Sequence, residues 1–247
     1  GITEPHLVYE RGSGVKLGID LDQVNVPDFY PNTRTVKSGL ADYAAEIEYG
    51  DSQLGTILGI LEERGELENT LVVVTSDNGM PLPRAKATCY DYGTRMPLAI
   101  RWGDKIKPGR VLDDFVSFTD FAPTFLQAAG LNVPSDMTGK SLMPLLTAGS
   151  SGEIDPERDY VVTGVERHLP GGRDQGLGYP IRAIRTRDYL YIHNIAPDRW
   201  PVGDPEGKSW PPKPQYGFGD VDNSVIKEFM LDHKNEYPEL YQLSFGK

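Results

Sequence analysis

The run Thr70-Leu71-Val72-Val73-Val74-Thr75 limits the fold of this chain more than any other stretch. Three consecutive valines between threonines put β-branched side chains in the majority, which disfavours helix and suits a pleated strand. Polarity does not alternate along the run, so it predicts a central strand buried on both faces. The run stops at Ser76-Asp77-Asn78-Gly79, a turn sequence. Upstream, Leu40, Tyr43, Ile47, Leu54, Ile57, Leu58 and Leu61 recur at helical spacing with charges between them. That period predicts one long amphipathic helix over 34–65, stopped by Gly65. Helix, buried strand and polar loop in this order belong to an α/β sheet, where ligands sit at the carboxyl ends of the strands.

The rest of the chain supports two parts. Residues 5–33 scatter Pro, Gly and Asp among short apolar pieces and predict a loop-rich lead-in. A second strand is predicted over 97–102. A helix should begin near Thr119-Asp120, tolerate Pro123 in its first turn and end at Gly130. A further short helix falls over 141–146. Residues 147–158, rich in Gly, Ser and acids, read as a linker, which divides the chain into 1–150 and 151–247. The second part holds strand-like pieces at 160–163, 179–186 and 189–192, the last two joined at Arg187-Asp188 as a tight antiparallel hairpin. A Pro- and Gly-rich loop over 197–222 precedes a helix over 223–234, with Asn223 or Asp222 as its cap.

Composition removes several functions. Across 247 residues, 25 Lys and Arg face 36 Asp and Glu, a formal charge of −11. That balance argues against a binder of nucleic acid or of an anionic membrane, which needs a basic face. The single cysteine, Cys89, excludes an internal disulfide and a Cys-based zinc cluster, and four histidines make a poor all-His metal centre. No apolar run approaches the roughly 20 residues that cross a bilayer.

Three features carry chemistry. Asp77 and Asn78 offer adjacent hard oxygen donors suited to Ca²⁺ or Mg²⁺; the same four residues also suit an ordinary Asp-Asn-Gly turn. Lys86 follows nine residues after Asp77, beyond two stiffening prolines, Pro81 and Pro83. A fixed ammonium near a divalent cation suits a tetrahedral oxyanion, although a lone lysine also reads as a solvated surface group. His6, in Glu4-Pro5-His6, reads either as a structural hydrogen-bonding group or as a catalyst.

Taken together these residues resemble the formylglycine-dependent sulfatase family. The resemblance rests on 69–79, on Lys86, on Gly93-Thr94-Arg95-Met96-Pro97-Leu98, on Ser117-Phe118-Thr119-Asp120-Phe121-Ala122-Pro123-Thr124, and on Thr138-Gly139-Lys140-Ser141-Leu142. Within the family the chain is similar to the heparan N-sulfatase (sulfamidase) type, through Glu4-Pro5-His6, Gly164-Val165-Glu166-Arg167-His168, Gly178-Tyr179-Pro180-Ile181-Arg182 and Pro197-Asp198-Arg199-Trp200-Pro201. The resemblance implies part of an alkaline-phosphatase-like α/β/α sandwich over 1–150, the C-terminal half of the core domain, and a smaller antiparallel-sheet subdomain with a helix over 151–247. It implies that Asp77 and Asn78 are two of four side-chain ligands of Ca²⁺, that Lys86 holds the sulfate oxygens, and that His6 contacts the sulfate near the leaving atom. Residues 161–195 carry five Arg against three acids. Glu166, Arg167, His168 and Arg182 there suit a sulfated or uronate-bearing sugar, or equally a charged sheet surface. Arg182 and Arg185, three apart in a strand, point to opposite faces.

The family makes its nucleophile from a Cys/Ser-x-Pro-x-Arg motif. Cys89 is followed by Tyr90-Asp91-Tyr92-Gly93, and reads instead as a small buried apolar group. Ser209-Trp210-Pro211-Pro212-Lys213 has Lys where Arg is required. The family's first metal-binding Asp pair has no match before Asp77, and Asp113-Asp114 follows the loop. The expectation is a portion cut at both ends and inactive alone, from a hydrolase of sulfate esters or N-sulfates on sugars, above all a glycosaminoglycan. By resemblance its parent carries Ca²⁺ and formylglycine and works in a periplasmic, secreted or lysosomal compartment. Two rivals remain at this point: a phosphatase or phosphodiesterase relative with two metals, and a non-catalytic anionic-glycan-binding relic.

Overall fold

In the computed structural model, residues 10–208, 213 and 215–247 are described. A four-residue helix, α1 (Ser13–Lys16), packs on the long α2 (Arg34–Glu63). The buried Asp42 on α2 accepts the amides of Gly12 and Gly14 at 2.9 and 3.0 Å and fixes that contact. The apolar period of 34–65 thus forms one helix, opened by the Thr33 side chain on the Val36 amide and closed before Gly65 at φ 69°.

Strand β1 (Val72–Thr75) pairs antiparallel with β2 (Leu98–Arg101), with Val73 opposite Ile100. The expectation of a strand buried on both faces is corrected here. Val74 is 37 % exposed, because β2 is the one strand paired with β1 among the described residues. The connection between them carries the short α3 (Asp91–Thr94). Then come α4 (Phe121–Ala128), preceded by a 3₁₀ turn over Phe118–Asp120, and α5 (Met143–Thr147). Trp102, Ile106, Leu142, Leu145 and Leu146 form one buried cluster beneath them. A buried ion pair closes this region. Arg158 meets Asp120 at 2.8 Å and donates to the carbonyls of Lys140 and Ser141, while Asp120 accepts the amides of Ser117 and Lys140.

The second part is an antiparallel sheet in the order β3 (Tyr160–Val165), β4 (Ile181–Thr186), β5 (Leu190–Asn194). The hairpin at Arg187-Asp188 forms as expected, closed by the Thr186 amide on the Tyr189 carbonyl at 2.8 Å. One face of the sheet buries Ile181 and Ala183 with Tyr179 and Cys89. The other exposes Tyr160, Val162, Ile184 and Tyr191. After a long loop follow α6 (Val225–Asp232) and α7 (Pro238–Phe245). The α6 cap is Ser224, whose hydroxyl accepts the Lys227 amide at 3.1 Å, not Asn223 or Asp222. Asp222 is committed elsewhere, as described below. A third cluster joins distant segments: Tyr30, Val36 and Leu82 pack with Val202, Phe218, Val221, Ile226, Met230 and Phe245.

Candidate active site

The loop after β1 is anchored at two places. Pro81, Leu82 and Pro83 are buried, with Leu82 in the cluster below α6, and Cys89 is buried under the β3–β4–β5 sheet. Between these anchors the backbone is forced into the left-handed region at two residues that carry side chains, Arg84 at φ 62° and Ala87 at φ 63°. Such conformations cost of order 1–3 kcal/mol each and persist where surrounding contacts over-determine them. The Met80 carbonyl accepts the amides of Leu82 and Lys86, at 2.8 and 3.1 Å, and the Arg84 guanidinium lies 4.1 Å over the Tyr90 ring. Lys86 therefore projects from a rigid turn.

Gly79 is required by space and not by backbone angle. Its φ is not positive. A Cβ there would stand 2.1 Å from the Tyr92 carbonyl oxygen and 2.8 Å from the Gly93 Cα. What the position needs is close approach of two backbones. Gly93 needs the same, since a Cβ would meet the Ala85 and Thr88 carbonyls at 2.4 and 2.5 Å.

Loop and sheet border an open cavity of about 260 Å³. Asn78, Lys86, Cys89, Thr163, Arg167 and His168 are among the residues that line it. Burial pushes the Cys89 thiol up from its ordinary value, as suits an unreactive apolar neighbour. The Asn78 amide nitrogen donates to the Gly79 carbonyl at 3.0 Å, which leaves the amide oxygen as the atom for a cation. Asp77 is exposed beside it and does not line the cavity. Arg167 is exposed and donates to the Gly176 carbonyl at 3.3 Å. His168 places Nδ1 3.8 Å from the buried Asp220 carboxylate. Glu166 and Arg182 pair with each other on the exposed side, and neither lines the cavity. Arg185 pairs instead with Asp91 at 2.9 Å, so the two arginines serve different neighbours. His6 and the Ser209–Pro212 part of the rejected motif lie outside the described residues.

The sequence reading missed the residues behind the cavity. Lys86 Nζ meets Asp222 Oδ2 at 3.1 Å, with Asp222 only 5 % exposed. Asp220 binds Arg173 at 2.6 Å and accepts the Leu169 amide at 3.0 Å. Lys227 is fully buried and donates to the carbonyls of Gly217, Phe218 and Val221 at 2.8, 3.1 and 2.7 Å. Its burial pushes it down to about 7, against the pull of Asp222, Glu228 and Asp220. The available signal was two aspartates set two residues apart in a glycine-rich loop.

Long helix, strand and loop belong to an alkaline-phosphatase-like fold. Residues 22–131 match the Sulfatase family model. Through this stretch the chain is similar to the sulfatase family. The human N-sulphoglucosamine sulphohydrolase is 31 % identical over 182 residues, 70 % of this chain and 34 % of its own length. An N-acetylglucosamine-6-O-sulfatase of Bacteroides thetaiotaomicron is 43 % identical over 170 residues, 67 % of this chain and 30 % of its own. The solved structure of BT4656 with its substrate D-glucosamine-2-N,6-O-disulfate superposes with a TM-score of 0.56 at 28 % identity, over 85 % of this chain and 40 % of that one. The chain thus spans about a third of the length of these two curated relatives. Among the described residues no helix is long and apolar enough to cross a membrane.

Proposed function

We propose that the protein to which this chain belongs hydrolyses sulfate esters or N-sulfates on sugars, and that this chain supplies one wall of the sulfate site. The observation that carries the reading is the convergence of Asn78, Lys86, Arg167 and His168 on one cavity, from two segments that are remote in sequence. A lysine ammonium has three donors. Asp222 engages one, and the others are available to sulfate oxygens. Fixed cations aimed at a sulfuryl group neutralise charge that builds during displacement. Arg167 and His168 would meet further anionic or hydroxyl groups of the sugar, and Glu166 and Arg182 would act only at its rim. His6 would transfer a proton to the leaving oxygen or nitrogen.

The residues present fit Ca²⁺ in part. Asp77 and Asn78 supply two hard oxygens of the six to eight that the ion takes. No group of three or more His, Cys, Asp or Glu able to hold a metal occurs among the described residues, so the remaining ligands would come from elsewhere. Bound there, Ca²⁺ would supply electrostatic stabilisation at the sulfuryl oxygens. No Cys/Ser-x-Pro-x-Arg motif occurs in the 247 residues, so a formylglycine nucleophile would also come from outside them. The substrate class proposed is a sulfated glucosamine or glycosaminoglycan, and the compartment periplasmic, secreted or lysosomal.

The test uses the protein encoded by the whole source reading frame, assayed with Ca²⁺ on N-sulfated glucosamine and 6-O-sulfated N-acetylglucosamine. Lys86→Ala should lower kcat/KM by about 10²–10³. Full activity in that variant overturns the reading. The 247-residue chain alone should show no turnover, and turnover by it would sink the view that the nucleophile lies elsewhere.

A further inference from the structure

We propose that Asp222 is a positioning residue for Lys86, and that the 217–222 segment is a clamp holding Lys86 and His168 from behind. The inference rests on the reading of Lys86 as the sulfate contact. Lys86 and Asp222 are 136 residues apart in sequence and 3.1 Å apart in space, with the lysine side chain 17 % and the carboxylate 5 % exposed. A lysine is a point charge on a flexible four-carbon stem, and free rotation would spread its charge over many positions. A buried carboxylate at hydrogen-bond distance selects one of them.

The carboxylate is itself held. The segment that carries it, Gly217 to Asp222, gives three carbonyls to one buried amino group, that of Lys227. Three donors and three acceptors match, so Lys227 in its charged form has no donor left for substrate. Within the segment Phe218 is kept at φ 50°, a conformation that a side-chain-bearing residue adopts only under constraint. Two residues before Asp222, Asp220 stands behind a second side chain of the cavity, His168. Its carboxylate lies 3.8 Å from His168 Nδ1 and is shared with Arg173 and the Leu169 amide. Buried charges are tolerated when paired, and here two buried carboxylates face Lys86, Arg173 and Lys227. The two aspartates sit one behind each side of the cavity, Lys86 from the β1–β2 connection and His168 from the end of β3.

Acetylation of lysines by an N-hydroxysuccinimide ester, read residue by residue by mass spectrometry, tests this on the 247-residue chain at pH 6.5. In Asp222→Asn, Lys86 should acetylate about five-fold faster relative to the exposed Lys234, because its amino group is no longer held against the carboxylate. Asp222→Glu should restore part of the slow rate, which general loosening of the loop would not do. An unchanged Lys86 rate in folded Asp222→Asn overturns the proposal. If Asp222→Asn fails to fold, NMR of the wild-type chain decides. Lys86 ammonium protons that exchange with water more slowly than those of Lys234 support the clamp, and equal exchange overturns it. Inorganic sulfate is a separate arm. If it fails to protect Lys86 while the sulfate-free rates behave as expected, the sulfate-contact reading falls and the Lys86–Asp222 contact stands.

Discussion

Lys227 gives the fold a pH dependence of a definite sign. The residue is fully buried, its ordinary value is 10.5, and burial brings it down to about 7. Between these two values the unfolded chain keeps a proton that the folded chain has released. The unfolded state therefore binds more protons, and stability rises with pH across that window. Below about pH 7 the lysine is charged in both states, and its burial cost is largest there. The full slope is about 1.4 kcal/mol per pH unit, and integrating from half-titration at pH 7 to pH 9 gives about 2 kcal/mol. Tyr179, Tyr216 and Tyr241 are raised above 10 and release no protons in this range. The comparison is with Lys227→Met, which keeps the volume and removes the titration. Urea unfolding followed by tryptophan fluorescence at pH 7, 8 and 9 measures both chains. The wild-type chain should gain about 2 kcal/mol on the variant between the ends of that range. A wild-type stability that stays level or falls relative to Lys227→Met would refute the reasoning.

Gly79→Ala should destabilise by about 2 kcal/mol or more in thermal denaturation, because its Cβ would stand 2.1 Å from a backbone oxygen that cannot swing away. Arg158→Met should cost about 3–5 kcal/mol in urea unfolding by leaving Asp120 buried without its partner, and Arg158→Met with Asp120→Asn, which removes the charge and keeps an acceptor for the amides, should recover part of it. Ser224→Ala should cost about 1 kcal/mol by removing the α6 cap, with loss of helical signal at the transition's onset.

Local pattern was readable from sequence, and long-range pairing was not. The 3.6-residue apolar period and Gly65 marked α2 to within two residues of its end at Glu63. The Arg187-Asp188 turn marked the β4–β5 hairpin, since turn chemistry acts over four residues. Helix α7 went unread, although Pro238 stands in its first turn where a start signal is expected. The strand reading for 70–75 erred because burial depends on neighbours, and a run of valines records a preference for cover rather than its presence. In the cavity, Asn78 and Lys86 came from one loop and Arg167 and His168 from one strand end, so each pair was visible locally. Asp222 was noticed only as a helix cap, because nothing within several residues of it encodes a lysine 136 positions away.

Cys89 has a practical consequence. It is the only thiol in the chain, 2 % exposed, and packed among Tyr179, Ile181 and Ala183 at the edge of the cavity. A reagent such as an aromatic disulfide can reach it only when the loop lifts from the sheet, so modification under native conditions times that opening. One sulfur atom then serves as a clock for the cavity itself. Its rate can be read without substrate, metal or turnover, at a single site whose product is one mass increment.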